Sequence, residues 1–212
     1  MDTILKKLLL TVISVFFYIS FAAANTHTIV VLGDSISAAY GINTNQGWVS
    51  LLQTRLKQQG YPHRVFNASI SGDTTRTGLN RLKPILKKNT PEIVIIALGG
   101  NDGLRGLPFD EIRSSISKII TLSQQGGSKV ILTGVRLPPN YGAAYNSRFK
   151  QLFQSISDRY NVILVPDSLK NIAEHSELMQ ADGIHPTVAA QVIILDNIWA
   201  GLEPLLNTTK KH

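Results

Sequence analysis

The chain contains no cysteine. That excludes disulfides, an acylated lipoprotein cysteine and thiolate zinc sites, so the fold must rest on its core alone. Also missing are paired histidines at helical spacing, a calcium-loop pattern, a phosphate-binding Gly-Lys-Ser/Thr loop and a dinucleotide fingerprint. No metal and no cofactor are therefore expected. The Gly-x-Ser-x-Gly elbow is absent, because Gly33-Asp34-Ser35-Ile36-Ser37 has serine where that motif ends in glycine. No arginine-rich arm or basic helix interleaved with aromatics occurs, which argues against a nucleic-acid partner. Internal repeats, low-complexity tracts and linkers are likewise missing.

What is present begins with an export signature. Lys6-Lys7 precede an apolar run from Leu8 to Phe21, and Ala22-Ala23-Ala24 supplies small residues for cleavage after Ala24. The run is short for a membrane span of ~20 residues, and no second apolar stretch of spanning length is expected. The mature part, residues 25–212, has the length of one domain. Of the formal charge of +7, Lys6, Lys7 and Asp2 leave with the signal, and the remaining excess is scattered. Such a surface predicts at most weak membrane contact. A monomer that acts on a small-molecule acyl ester or thioester is expected.

Strand and helix patterns alternate at short spacing. Thr28–Leu32, Arg64–Asn67, Ile93–Leu98, Val130–Leu132 and Val162–Val165 read as five strands. Helical patterns lie at Gly47–Gln59, around Leu79–Leu86, around Ile112–Ile120, at Ala143–Asp158 and from about Pro186 to Leu206. This alternation predicts an α/β fold with a parallel sheet covered on both faces.

The polar residues that could do chemistry all follow strands, where ligands bind in open α/β sheets. Ser35 follows the first strand, Ser71-Gly72-Asp73 the second, Gly99-Gly100-Asn101-Asp102 the third, Arg136-Leu137-Pro138 the fourth, and Asp182-Gly183-Ile184-His185 the fifth. A serine, an imidazole and a carboxylate are the parts of a hydrolytic triad: Ser35 as nucleophile, His185 as base and then acid, Asp182 as its orienter. The N–H groups of Ser35 and Gly72 and the amide of Asn101 would receive the oxyanion. Pro186 suits the first turn of the last helix, which would hold His185 at a helix start. Taken singly these residues have plain readings: Asn-Asp after Gly-Gly is turn chemistry, and Asp-Gly-x-His-Pro can end a loop. Their joint order favours catalysis.

At these positions the chain resembles the SGNH (GDSL-type) hydrolases, whose letters fall on Ser35, Gly72, Asn101 and His185. Within them it is most similar to the periplasmic thioesterase I/protease I/lysophospholipase branch. The likeness lies in Asn67–Thr74, Leu98–Arg105, Arg136–Gly142 and Asp182–Pro186. The resemblance implies a flavodoxin-like three-layer α/β/α sandwich, a cofactor-free hydrolase of the periplasm, and acyl thioesters, aryl esters and lysophospholipids as substrates. It also implies that the segment from Arg136 to Gly142 lines an acyl-chain groove, here with a stiff Pro138-Pro139 pair. Leu104, Leu137, Pro138 and Pro139 are its candidate substrate contacts. Two alternatives stay open: a carbohydrate O-acetylesterase on the same fold, and a binding protein that has kept the scaffold without catalysis.

Overall fold

The computed structural model describes residues 27–206; the expected signal segment and its expected cleavage after Ala24 lie outside the described residues. Five parallel strands form one sheet: β1 (Thr28–Gly33), β2 (Arg64–Asn67), β3 (Ile93–Ala97), β4 (Lys129–Thr133) and β5 (Ile163–Val165). Their spatial order is β2-β1-β3-β4-β5, the doubly wound arrangement in which the chain reverses its winding direction between β1 and β3. The helices are α1 (Trp48–Gln58), α2 (Thr75–Asn89), α3 (Gly100–Leu104), α4 (Phe109–Gln125), α5 (Ala143–Tyr160) and α6 (Gln191–Leu206).

The two-residue period of the strands divides the core into two layers. Ile29, Val31, Ile93, Ile95 and Ile131 face α1 and α6, packing on Trp48, Leu52, Leu56, Ile194, Ile198 and Leu202. Val30, Leu32, Val94, Ile96 and Leu132 face the opposite way, onto Leu82 of α2, Ile112, Ile116 and Ile119 of α4, and Phe149 and Phe153 of α5. Every residue of β1 is buried. A strand covered on both faces reads as an unbroken apolar run, which is why β1 and β3 are so plain in the sequence. The three-layer α/β/α fold is thus present.

Three expectations need correction. The last α-helix starts at Gln191, after a single 3-10 turn at Val188–Ala190, and not at Pro186. Pro186 instead pairs with Met179 in an antiparallel bridge, fixed by donation from Gln180 N–H to His185 O (2.7 Å) and from Thr187 N–H to Leu178 O (2.8 Å). Those contacts hold the chain extended through His185 and delay the helix. The second concerns apolar length. Val188–Leu206 is, by length and composition, one helical stretch apolar enough to cross a membrane. Packing accounts for its composition: Ile194, Leu195, Ile198, Trp199, Leu202 and Leu206 are all in the core. The Gly-Gly segment after β3, read as a turn, also forms the short helix α3.

Gly134, just past β4, marks where two crossing segments leave no room. Its N–H donates to Val165 O (2.7 Å), and a Cβ placed there would run into the carbonyl oxygen of Pro166. Backbone cannot swing aside as a side chain can. Gly134→Ala should therefore destabilise the protein by about 1–3 kcal/mol. Thermal unfolding would register a fall of roughly 2–4 °C per kcal/mol; an unchanged midpoint would mean that this crossing is loosely packed.

Candidate active site

Ser35 stands where β1 ends, in a tight turn closed by bonds from Ala38 N–H to Asp34 O (2.9 Å) and from Tyr40 N–H to Ser35 O (3.0 Å). The turn lifts the hydroxyl out of the sheet, leaving Ser35 half-buried. Across 150 positions of sequence, His185 Nε2 comes within 2.9 Å of Ser35 Oγ. His185 Nδ1 lies 2.6 Å from Asp182 Oδ2. The other carboxylate oxygen of Asp182 accepts from the N–H groups of Ile184 (2.9 Å) and His185 (3.0 Å). Asp182 thus folds its own loop and orients the imidazole at once, and Gly183 takes the left-handed φ of 65° that this turn requires. The His185 N–H and side-chain bonds and the Ile184 N–H bond hold the Asp182 carboxyl down at about 2.

The imidazole is also confined from outside. The Tyr40 ring lies 4.4 Å from it, centroid to centroid. Gln180 donates from Nε2 to Tyr40 O (2.9 Å) and Pro186 O (3.0 Å), tying the Ser35 turn to the His185 loop. Neither Tyr40 nor Gln180 was apparent from the sequence, since both act through contacts between segments far apart in the chain.

The remaining donors arrive on the loops after β2 and β3. Gly72 has φ 84°, a conformation that favours glycine. The N–H groups of Ser35 and Gly72 find no acceptor among the described residues. Asn101, at the start of α3, donates from Nδ2 to Asp73 O (2.9 Å), which leaves its second amide hydrogen to point elsewhere. These two loops are braced together. Buried Asp102 accepts from Thr75 N–H (2.9 Å) and Thr75 Oγ1–H (2.6 Å) at the head of α2. Arg81 donates to Asp73 (2.7 Å), and Arg105 to Gly72 O (3.2 Å). Asp102 is therefore a structural bracket, the turn-chemistry role, while its neighbour Asn101 stays available.

Beside these groups lies a cavity of about 280 Å³, lined among others by Ile36, Leu104, Val135, Leu137, Pro138 and Pro139, with Met179 and Ile184 on the His185 side. All four candidate groove residues belong to it. Leu137 is largely buried, packing where a Cβ on Gly103 would sit. Leu104 and Pro138 are half-buried and Pro139 exposed. The segment after Pro138 is fixed by donation from Tyr141 Oη–H to Leu104 O (2.8 Å) and from Asn146 Nδ2 to Pro138 O (3.2 Å).

This arrangement can transfer an acyl group. A hydroxyl, an imidazole and a carboxylate are in relay contact, with unsatisfied N–H donors and an apolar cavity alongside. The profile of the GDSL-like lipase/acylhydrolase family matches residues 31–193. The chain is 46% identical to Esterase TesA of Pseudomonas aeruginosa over 183 residues, covering 86% of this chain and 91% of that one. It is 36% identical to the thioesterase 1/protease 1/lysophospholipase L1 of Escherichia coli (strain K12), covering 89% of each. A crystal structure of psychrotrophic esterase EstA from Pseudoalteromonas sp., inhibited by monoethylphosphonate, superposes with a TM-score of 0.81. It is 38% identical and covers 85% of this chain and 99% of that one.

A buried carboxyl beside the site generates a pH signature. Asp34 is 7% exposed; burial drives its pKa from 3.8 up to about 6, partly offset by the Ile36 N–H and by His185, while Asp102 adds to the rise. The folded state then holds this proton more tightly than the unfolded chain does. Stability should fall as pH rises from about 4 to about 6 and level off above that, by at most about 3 kcal/mol. Asp34→Asn keeps an acceptor for Ile36 N–H and removes the titration. Unfolding midpoints compared at pH 4 and pH 7 should shift less unfavourably in the variant. Identical pH dependence would show that Asp34 ionises without cost.

Proposed function

Because the chain belongs to the GDSL-like lipase/acylhydrolase family and is an ester hydrolase, we propose that it cleaves fatty-acyl esters and thioesters through an acyl-enzyme on Ser35. The observation that carries this reading is the continuous contact Ser35–His185–Asp182 at 2.9 and 2.6 Å. Ser35 Oγ attacks the acyl carbonyl carbon while His185 Nε2 takes its proton. The tetrahedral oxyanion is received by the N–H groups of Ser35 and Gly72 and the amide of Asn101. Collapse breaks the bond to the alcohol or thiol, which leaves with the proton from His185. Water, deprotonated by the same imidazole, then releases the acid and restores Ser35.

Each accessory contact has a part in this sequence. Asp182, ionised down to about pH 2, keeps the His185 proton on Nδ1, so that Nε2 presents a lone pair to Ser35. The bracket from Asp102 to Thr75 fixes two oxyanion donors relative to each other before substrate arrives. Such preorganisation is worth roughly 3–4 kcal/mol per donor. The names of the relatives, an esterase and a thioesterase/lysophospholipase, support activated acyl groups as substrate, with aryl esters and lysophospholipids among them. The apolar lining of the cavity favours a fatty acyl chain over the acetyl group of a decorated sugar. We further propose that residues 25–212 form one exported, monomeric domain in the periplasm, released by cleavage after Ala24.

Ser35→Ala should lower ester hydrolysis by at least ~10³-fold without unfolding the protein. A fluorophosphonate should label the wild type and fail on His185→Ala. Retention of a tenth of the wild-type rate by pure Ser35→Ala would sink the assignment.

Chain length tests the groove. Each buried methylene contributes roughly 0.8 kcal/mol, so kcat/KM should climb from acetyl to medium-chain p-nitrophenyl esters. Half-buried Leu104 is a better probe than Leu137, whose core position would confound a polar substitution. Leu104→Asn should slow octanoate hydrolysis several-fold more than acetate hydrolysis. A wild-type preference for acetate, or equal slowing of both esters, would favour the carbohydrate deacetylase.

A further inference from the structure

At the opposite end of the sheet, three side chains converge that the proposed chemistry does not use. His27 immediately precedes β1, His63 precedes β2 and Glu92 precedes β3. These are three neighbouring strands in the order β2-β1-β3, and their register brings the strand heads level. Thr28 pairs with Arg64, and Ile29 with Ile93. Arg64 N–H donates to His27 O (2.8 Å) and Glu92 N–H to Thr28 O (2.9 Å). The convergence is therefore imposed by the sheet itself.

Glu92 Oε2 lies 2.8 Å from His27 Nδ1 and 3.3 Å from His63 Nε2. One donor atom from each of the three residues falls within 4.8 Å of the other two. The His63 side chain is fully buried, yet neither of its ring nitrogens makes a hydrogen bond. Its Nε2 is close to the carboxylate but misaligned for one. A buried imidazole engaged by a carboxylate in poor hydrogen-bond alignment leaves free energy to be gained from a better partner. The His27 ring is 5.2 Å away, so the cluster is two imidazoles and a carboxylate around one point.

We propose that His27 Nδ1, His63 Nε2 and Glu92 Oε2 form a binding site for one divalent transition-metal ion of the zinc type. Two nitrogens and one carboxylate oxygen are a donor set that such ions accept. Zinc bonds of about 2.0–2.2 Å in tetrahedral array set donor atoms roughly 3.3 Å apart. His63 Nε2 and Glu92 Oε2 already stand at that spacing, and His27 Nδ1 lies inside it on the carboxylate side, 2.8 Å from Glu92 Oε2. The carboxylate neutralises part of the ion's charge, water completes the shell, and binding gives His63 Nε2 a partner. Lys129, at the head of β4, bears electrostatically on His63 and opposes the ion's positive charge. The ion would staple three strand heads in a chain that has no disulfide, stabilising the folded state by mass action. Sequence inspection passes over this set because its members come from three separate strand heads, with no motif between them.

Calorimetric titration of the purified protein with Zn²⁺ tests the site. One equivalent should bind with saturation, raising the unfolding midpoint, and chelation should reverse both effects. His63→Gln and Glu92→Gln should each weaken binding by at least about tenfold while keeping wild-type ester hydrolysis, which reports an intact fold from the far end of the sheet. His185→Ala should bind Zn²⁺ as the wild type does. Co²⁺ added to the wild type needs no variant and should give the intense visible bands of a four- or five-coordinate ion. Absence of saturable Zn²⁺ binding, unchanged affinity in both cluster variants, loss of binding in His185→Ala, or a Co²⁺ spectrum like that of the aqueous ion would each overturn the site.

Discussion

The pairing of β1 with β3, with β2 displaced to the outer side, governs the rest of this molecule. In a parallel sheet wound in both directions, the crossovers leaving two adjacent strands go to opposite faces, and a crevice opens between them. Here that crevice lies beyond Gly33 and Ala97, which are register partners. The turn carrying Ser35 leaves one strand and the helix carrying Asn101 leaves the other. Neither residue has to reach far, because the backbone has already parted. The loop after β2 brings Gly72 from the flank, and the return from β5 brings His185 over the top. No one segment builds the site; the topology does.

This explains what could be read from the chain and what could not. The strands were legible because β1 and β3 are buried on both faces and must be unbroken runs of Ile, Val and Leu. Asp182 and His185 were legible because their relation is local, three residues in one turn. The onset of α6 was not. Pro186 is a good helix starter locally, but its bridge to Met179 is a contact made by tertiary folding, and it wins. Asp102 beside Asn101 shows the same limit. Both residues are polar and follow the same Gly-Gly pair, yet only the position of Thr75, on a different helix, decides which becomes a bracket and which a donor.

Two aspartates near Ser35 are driven in opposite directions. Asp182 is largely exposed and accepts two backbone N–H groups besides the imidazole, which stabilises its charge. Asp34, adjacent in sequence to Ser35, is buried, and burial outweighs the backbone N–H bonds, chiefly from Ile36, that it accepts. Desolvation disfavours the charged form, while hydrogen bonds to it favour that form. Near neutrality the carboxylate that orients His185 is thus fixed in charge, and the one beneath Ser35 loses its proton only as pH passes about 6.

The two ends of the sheet face different demands. Beyond the carboxyl ends, the loops must hold unsatisfied N–H donors at Ser35 and Gly72 and a cavity exposed to solvent. The Asp102–Thr75 and Arg81–Asp73 contacts clamp that rim. At the strand heads, β1 is held between β2 and β3 by backbone pairing without a covalent tie. The cluster of His27, His63 and Glu92 sits across those same strands. An ion bound there would rigidify the strands whose far ends carry Ser35 and Asn101, with no contact to the reacting atoms.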